Sequence, residues 1–143
     1  MKIGITGTRS GMSLQQRTKV SEILNNLQDD GYELHHGDCV GVDDEVALIA
    51  DRFGYTIVCH PPINDELRSY TKSDQTRSPK SYFARNRTIV EEVDLLLVVP
   101  YQMEHQNHGG TWYTHDYAVK IKKPFIVIYP DGSCTESVNY AAS

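Results

Sequence analysis

A chain of 143 residues is long enough for one domain with a sizeable core and too short for two. Hydrophobic residues make up 39% and charged residues 23%, and the longest apolar run, Leu95–Val99, is far below the roughly 20 residues that a membrane helix needs. Fourteen Lys+Arg against nineteen Asp+Glu give a formal charge of -5, which disfavours generic nucleic-acid binding, since that draws its affinity from neutralised phosphates. In chain order, residues 2–6 read as a strand. A helix then opens at Ser13, where Gln16 completes a capping box, carries Val20, Ile23, Leu24 and Leu27 on one stripe, and stops before Gly31. Residues 32–36 form a second strand, 43–53 a helix with Val46, Ile49, Ala50 and Phe53 on its apolar face, and 56–60 a third strand. A polar stretch over 61–79 has no periodicity, and a loop of that length is functional or mobile. A helix over 82–92 leads to a fourth strand at 94–99. Another helix, opening after Gly109-Gly110 and ending at Lys122-Lys123-Pro124, leads to a fifth at 125–129; residues 131–143 are a small polar tail.

This alternation implies right-handed βαβ units. The expected fold is α/β: one Rossmann-like three-layer domain over residues 1–143, with a mostly parallel five-stranded sheet in the order 3-2-1-4-5 and helices on both faces. No apolar segment ahead of a cleavage site marks the start, and Cys39, Cys59 and Cys134 are odd in number and outside any CxxC pair. The expectation is therefore a cytoplasmic protein with reduced thiols. His105, His108 and His115 fit neither a HExxH pair nor a Cys/His zinc pattern, and there is no GxSxG elbow or Walker A sequence. No metal or cofactor is expected.

Ligands of an open parallel sheet bind beyond the carboxyl ends of its strands where the order reverses, here around the first and fourth strands. Gly7-Thr8-Arg9-Ser10-Gly11 follows the first strand: its glycines admit a ligand, and Arg9 can fork onto a phosphate or carboxylate, or simply be solvated on a tight turn. Gly37 and Gly41 bracket a loop that delivers Asp38, Asp43 and Asp44 to the same edge. Asp38 reads as a ligand contact and Asp44 as a helix cap. On the third helix, Arg85 and Arg87 flank Asn86 beside Tyr82 and Phe83, forming either an anion clamp or a solvated basic face. Gly109-Gly110-Thr111 opens the fourth helix as a phosphate cradle or as a capped start whose loop needs flexible glycines, and Trp112 reads as core.

Taken in this order, ITGTRSGM, LHHGDCVGVDDEVALIA, CHPP, ARNRTIVEEVDLLLVVP and GGTWYTHDYA cover residues 3 to about 130 and resemble the SLOG superfamily of Rossmann-like nucleotide-binding proteins. Within it the style is that of the small YpsA-related proteins of phages and bacteria; LOG-type phosphoribohydrolases and DNA-processing DprA proteins are also members. The resemblance implies a nucleotide or nucleotide-derived ligand with its phosphate at Gly109-Gly110-Thr111, and contacts from Gly7, Thr8, Arg9, Gly37, Asp38, His60, Pro61, Arg85 and Asn86. It also implies a homo-oligomer, at least a dimer.

Some members cleave the N-glycosidic bond of a nucleoside monophosphate. Their GGxGTxxE pattern places a catalytic Glu three residues after the Thr, where this chain has Thr114; their Arg has its counterpart in Arg85. An oxocarbenium-like transition state needs a carboxylate, which threonine cannot supply. Asp116, two helical residues on from Thr114, points elsewhere, so Asp38 or Asp43 would have to act from across the crevice. The readings therefore rank as a binding module without chemistry, then an N-glycosidase using Asp38 or Asp43. Last comes DprA-like nucleic-acid binding through an Arg9/Arg85/Arg87 patch.

Overall fold

Strand and helix alternate as the hydropathy pattern dictates. Residues 1–27 and 31–137 are described by a computed structural model. The elements are β1 (Lys2–Gly7), α1 (Leu14–Leu27), β2 (Glu33–His36), α2 (Val42–Arg52), β3 (Thr56–Cys59) and β4 (Gln75–Thr76). They continue with α3 (Tyr82–Glu92), β5 (Leu95–Val99), α4 (Gly110–Lys120), β6 (Phe125–Ile128) and β7 (Cys134–Glu136). The sheet runs β4-β3-β2-β1-β5-β6-β7, parallel except for the antiparallel pair β6–β7.

The five strands expected from the sequence stand in the expected order, but the sheet has seven. β4 lies inside the polar 61–79 stretch and is too short to carry a periodic signal. β7 lies in the expected tail, turned back by a hairpin in which Tyr129 N donates to Ser133 O at 2.8 Å and Gly132 takes φ +86°. Residues 138–143 of that tail lie outside the described residues.

Successive side chains on β5 point to opposite faces, which gives the two cores. Leu95, Leu97 and Val99 join Ile3, Ile5 and Leu34 beneath Val20 and Leu24 of α1 and Val46 and Ala50 of α2. Leu96 and Val98 join Val127 beneath Val90 of α3 and Trp112 and Ala118 of α4. A parallel sheet covered on both faces needs apolar residues at every position, and all five residues of β5 are buried.

The capping box at α1 forms in full. Gln16 N donates to Ser13 Oγ at 3.1 Å, and Ser13 N donates to Gln16 Oε1 at 3.0 Å. The same buried amide donates through Nε2 to Pro100 O at 2.8 Å and Ile128 O at 3.0 Å, tying the helix start to the ends of β5 and β6. Gln16→Ala keeps the backbone bond to Ser13 Oγ but removes the acceptor of Ser13 N and takes the Nε2 donor from two buried carbonyls. It is expected to lower the unfolding free energy by about 2–4 kcal/mol in urea titrations. A change under about 0.5 kcal/mol would mean that water takes over these contacts.

Candidate ligand-binding site

The chain leaves β1 in one direction, toward β2 and β3, and returns on its other side at β5, so the strand order reverses between β1 and β5. Over that point lies a cavity of about 250 Å³, walled by Gly7, Thr8 and Arg9 after β1, Tyr101 and Gln102 after β5, and the start of α4. Thr8 N donates to Val99 O and Thr8 O accepts from Val42 N, both at 3.1 Å, so this turn is stitched to β5 and α2. A Cβ at Gly7 would lie 2.5 Å from Val42 Cγ1, so α2 packing alone requires a glycine there. At α4, Gly109 enters with φ +91° and no side chain caps the helix. Its first helical bond is Tyr113 N to Gly109 O, so the amides of Gly110, Thr111 and Trp112 precede any helical acceptor and carry the positive end of the dipole.

A second cavity, about 420 Å³, adjoins the first and shares Arg9 and Tyr82 with it. Its walls include Pro62, Ile63 and Leu67 from the 61–79 stretch, with Glu66 and Arg85 as charged groups. Tyr82, the first residue of α3, stands between the two spaces. The guanidinium carbons of Arg9 and Arg85 lie 5.7 and 5.2 Å from its ring centre, and a Cβ on Gly110 would overlap its hydroxyl.

Arg85 is buried, 2% exposed, although it carries a full charge. Its Nε donates to Asn86 Oδ1 at 2.7 Å, its Nη1 to His60 O at 3.0 Å and to Gly37 O, and its Nη2 faces Cys39 Sγ at 3.6 Å. Asp43 is the nearby counter-charge. Its Oδ2 accepts from Gly37 N at 2.9 Å and Cys39 N at 3.4 Å. Burial pushes the Asp43 carboxyl up to about 6 against the pull of Arg85 and these amides. A carboxyl whose folded pKa lies above its unfolded value stabilises the fold at low pH, and this contribution is lost as pH rises from about 4 through about 6. The stability advantage of the wild type over Asp43→Asn is therefore expected to shrink between pH 4 and pH 7. Urea midpoints across that range check it, and an advantage that grows instead would contradict the raised value.

No protein-family model matches the sequence, and comparison with curated proteins returns no match. Solved structures do match. The molybdenum cofactor binding protein of Rippkaea orientalis superposes with a TM-score of 0.69 at 20% identity, over 90% of this chain and 76% of that one. The molybdenum cofactor carrier protein of Chlamydomonas reinhardtii gives 0.63 at 22%, over 88% and 74%. DNA processing protein A of Helicobacter pylori gives 0.62 at 21%, over 89% of this chain and 64% of that one. The chain shares the Rossmann-like fold of these structures.

On this frame the residues singled out by sequence divide into two sets. Gly7, Thr8, Arg9, Arg85, Gly109, Gly110 and Thr111 line the paired cavities. Gly37, Asp43 and Asn86 sit beneath them and hold Arg85 and its loop. Asp38 is directed elsewhere: at φ +58° its carboxylate accepts from Arg68 Nε at 2.6 Å, Ser69 Oγ at 2.9 Å and Thr71 N at 3.1 Å, pinning the 61–79 stretch. Asp44 accepts from Thr71 Oγ1 at 2.5 Å and does not cap α2. His60 lines a separate cavity behind Arg85, and Pro61 is buried next to it. Arg87 donates to Tyr113 Oη at 2.7 Å between α3 and α4, so the three arginines form no common exposed patch. Thr114, at the position of the hydrolases' glutamate, is buried and donates to Gly110 O at 2.8 Å.

Sequence reasoning alone misses Tyr82 as the divider and Ile63 and Leu67 as cavity wall. Two aliphatic residues inside an otherwise polar stretch are the signal that points to them.

Proposed function

We propose that this chain binds a nucleotide or nucleotide-derived small molecule, its phosphate at the amides of Gly110 and Thr111 and its base against Tyr82 in the larger cavity. The observation that carries this reading is the junction of two unlike compartments at the point of strand reversal. One is floored by an uncapped helix start, the other is walled by aliphatic and aromatic side chains, and both are reached by Arg9. Arg9 supplies charge to the phosphate and the Tyr82 ring supplies a stacking face. The similar structures are named for binding a molybdenum cofactor or single-stranded DNA, which fits a ligand-receiving frame.

Hydrolysis of an N-glycosidic bond is the second reading, favoured by the raised pKa of Asp43 behind Cys39 and Arg85. Asp38 serves it less well, since three donors already occupy its oxygens. Nucleic-acid binding ranks last, because its basic patch does not assemble. Self-association, proposed from the resemblance, is checked by light scattering, where a monomer would remove it.

The deciding experiment incubates purified protein with a mixed nucleotide pool, removes unbound material, and analyses filtrate and heat-released fractions by mass spectrometry. An intact nucleotide in the released fraction with no new free base supports binding alone. Free base and ribose phosphate in the filtrate would establish hydrolysis. The absence of both signals would refute the nucleotide reading.

A further inference from the structure

On the far side of Arg85, three potential metal ligands converge from three elements: His35 of β2, His60 just after β3, and Glu92 at the end of α3. His35 Nδ1 lies 2.8 Å from His60 Nε2, His60 Nε2 lies 3.3 Å from Glu92 Oε2, and all three atoms fall within 4.8 Å of one another. Both imidazoles are buried, and Glu92 Oε2, itself shut off from solvent, has no hydrogen-bond partner among the described residues.

The distribution of protons shows why the cluster is unsatisfied as it stands. His35 Nε2 faces Glu33 Oε1 at 2.8 Å, so it carries a proton and donates it, which leaves His35 Nδ1 as a bare lone pair in the neutral ring. His60 Nε2 has a single site, either one proton or one lone pair, yet it faces both His35 Nδ1 and Glu92 Oε2. If its proton goes to His35, Glu92 has no donor; if it goes to Glu92, His35 has none. Protonating His35 on both nitrogens makes His60 Nε2 the acceptor and still leaves Glu92 Oε2 without a donor. Arg77 does not resolve this, because its Nε approaches the other oxygen, Oε1, at 3.5 Å.

We propose that His35 Nδ1, His60 Nε2 and Glu92 Oε2 form a site for a divalent transition metal of the zinc type, with Glu33 orienting His35 from behind. One cation satisfies all three lone pairs at once, and two imidazoles with one carboxylate are a donor set that zinc accepts. The carboxylate–histidine contact fixes the ring with Nδ1 available. Glu33 and Glu92 bring two carboxylates to the site, with Arg77 on the far oxygen of Glu92. His60 and Glu92 also wall a cavity of about 230 Å³ with Arg77, Lys80 and Thr88, which gives a fourth position room for water or an anion. Residue spacing hides such a site, since the ligands are 25 and 32 positions apart and follow no short motif.

Two other clusters serve as comparisons. His36 and Asp38 beside Cys59 are already bonded to Ser73, Arg68, Ser69 and Thr71. In the exposed cluster, His105 and His115 both reach Asp116 Oδ1 at 2.8 Å.

The test strips the full chain with chelator and titrates it with zinc by calorimetry and with cobalt(II) by visible absorption. The expected result is one tight equivalent of zinc and the absorption of a four-coordinate cobalt centre. Glu92→Gln should abolish both signals, Glu33→Gln should weaken zinc binding about 10–100-fold, and His115→Ala should leave binding unchanged. Circular dichroism confirms that the near-isosteric Glu92→Gln is folded, and the wild-type titration stands without any variant. A wild type that takes up no metal would overturn the proposal. So would a signal lost in His115→Ala but kept in Glu92→Gln, which would place the metal on the exposed cluster.

Discussion

Replacing Arg85 by methionine is expected to lower the unfolding free energy by about 3–5 kcal/mol, the range for removing one partner of a buried charge pair. The guanidinium supplies donors to Gly37 O, His60 O and Asn86 Oδ1, and methionine supplies none, so three acceptors lose their partner. Asp43 then loses the largest influence holding its pKa down and stays protonated to higher pH. The double variant Arg85→Met/Asp43→Asn should recover part of the loss, because no buried carboxyl remains to be ionised. Urea midpoints of both variants at pH 7 decide the matter, and a single variant within about 0.5 kcal/mol of wild type would mean that the residue is solvated after all. The free-ligand side is separable: only Nη2, near Cys39, is left to face the larger cavity.

Gly110→Val carries the largest expected effect on ligand retention. The new side chain would occupy the position of the Tyr82 hydroxyl, so the ring must leave its place between the two cavities. Each charge-assisted hydrogen bond that the helix start can no longer make to a phosphate is worth about 1.5–3 kcal/mol, so retention of a phosphate-bearing ligand should fall about 10–100-fold or more. Overpacking should cost the fold only about 1–3 kcal/mol. Gly110→Ala with Tyr82→Phe removes the colliding oxygen and is expected to bind better than Gly110→Ala alone. Equilibrium dialysis with the nucleotide recovered from the pool measures each case. Equal retention by wild type and Gly110→Val would exclude the helix start as the phosphate site.

How far the sequence can be read depends on how local the cause is. Ser13 and Gln16 announce a capping box because both partners lie within one turn, and the apolar runs of β5 and β6 announce covered strands because burial on both faces forces that composition. β7 is also legible: Asp131-Gly132 is a hairpin signal, easily passed over because the residues after it are short and polar. Asp38 cannot be read. A carboxylate at a ligand-facing edge looks like a ligand contact until its partners, Arg68, Ser69 and Thr71, are brought in from about 30 residues away. Arg85 is ambiguous for the same reason, since two of its three acceptors are backbone carbonyls just after β2 and β3 that leave no trace in a side-chain pattern.

The two short strands at the sheet's rims also bear on how copies of this chain can meet. At one rim only Gln75 and Thr76 present an outer edge, and at the other β7 ends on exposed Thr135 and Glu136. Among the described residues neither offers a long, flat, apolar row of amides and carbonyls, so continuous sheet extension from molecule to molecule is disfavoured at both ends. The helix faces are the more open surfaces for assembly: Leu14 of α1, Leu48 of α2, Phe83 of α3 and Val119 of α4 are exposed apolar groups there.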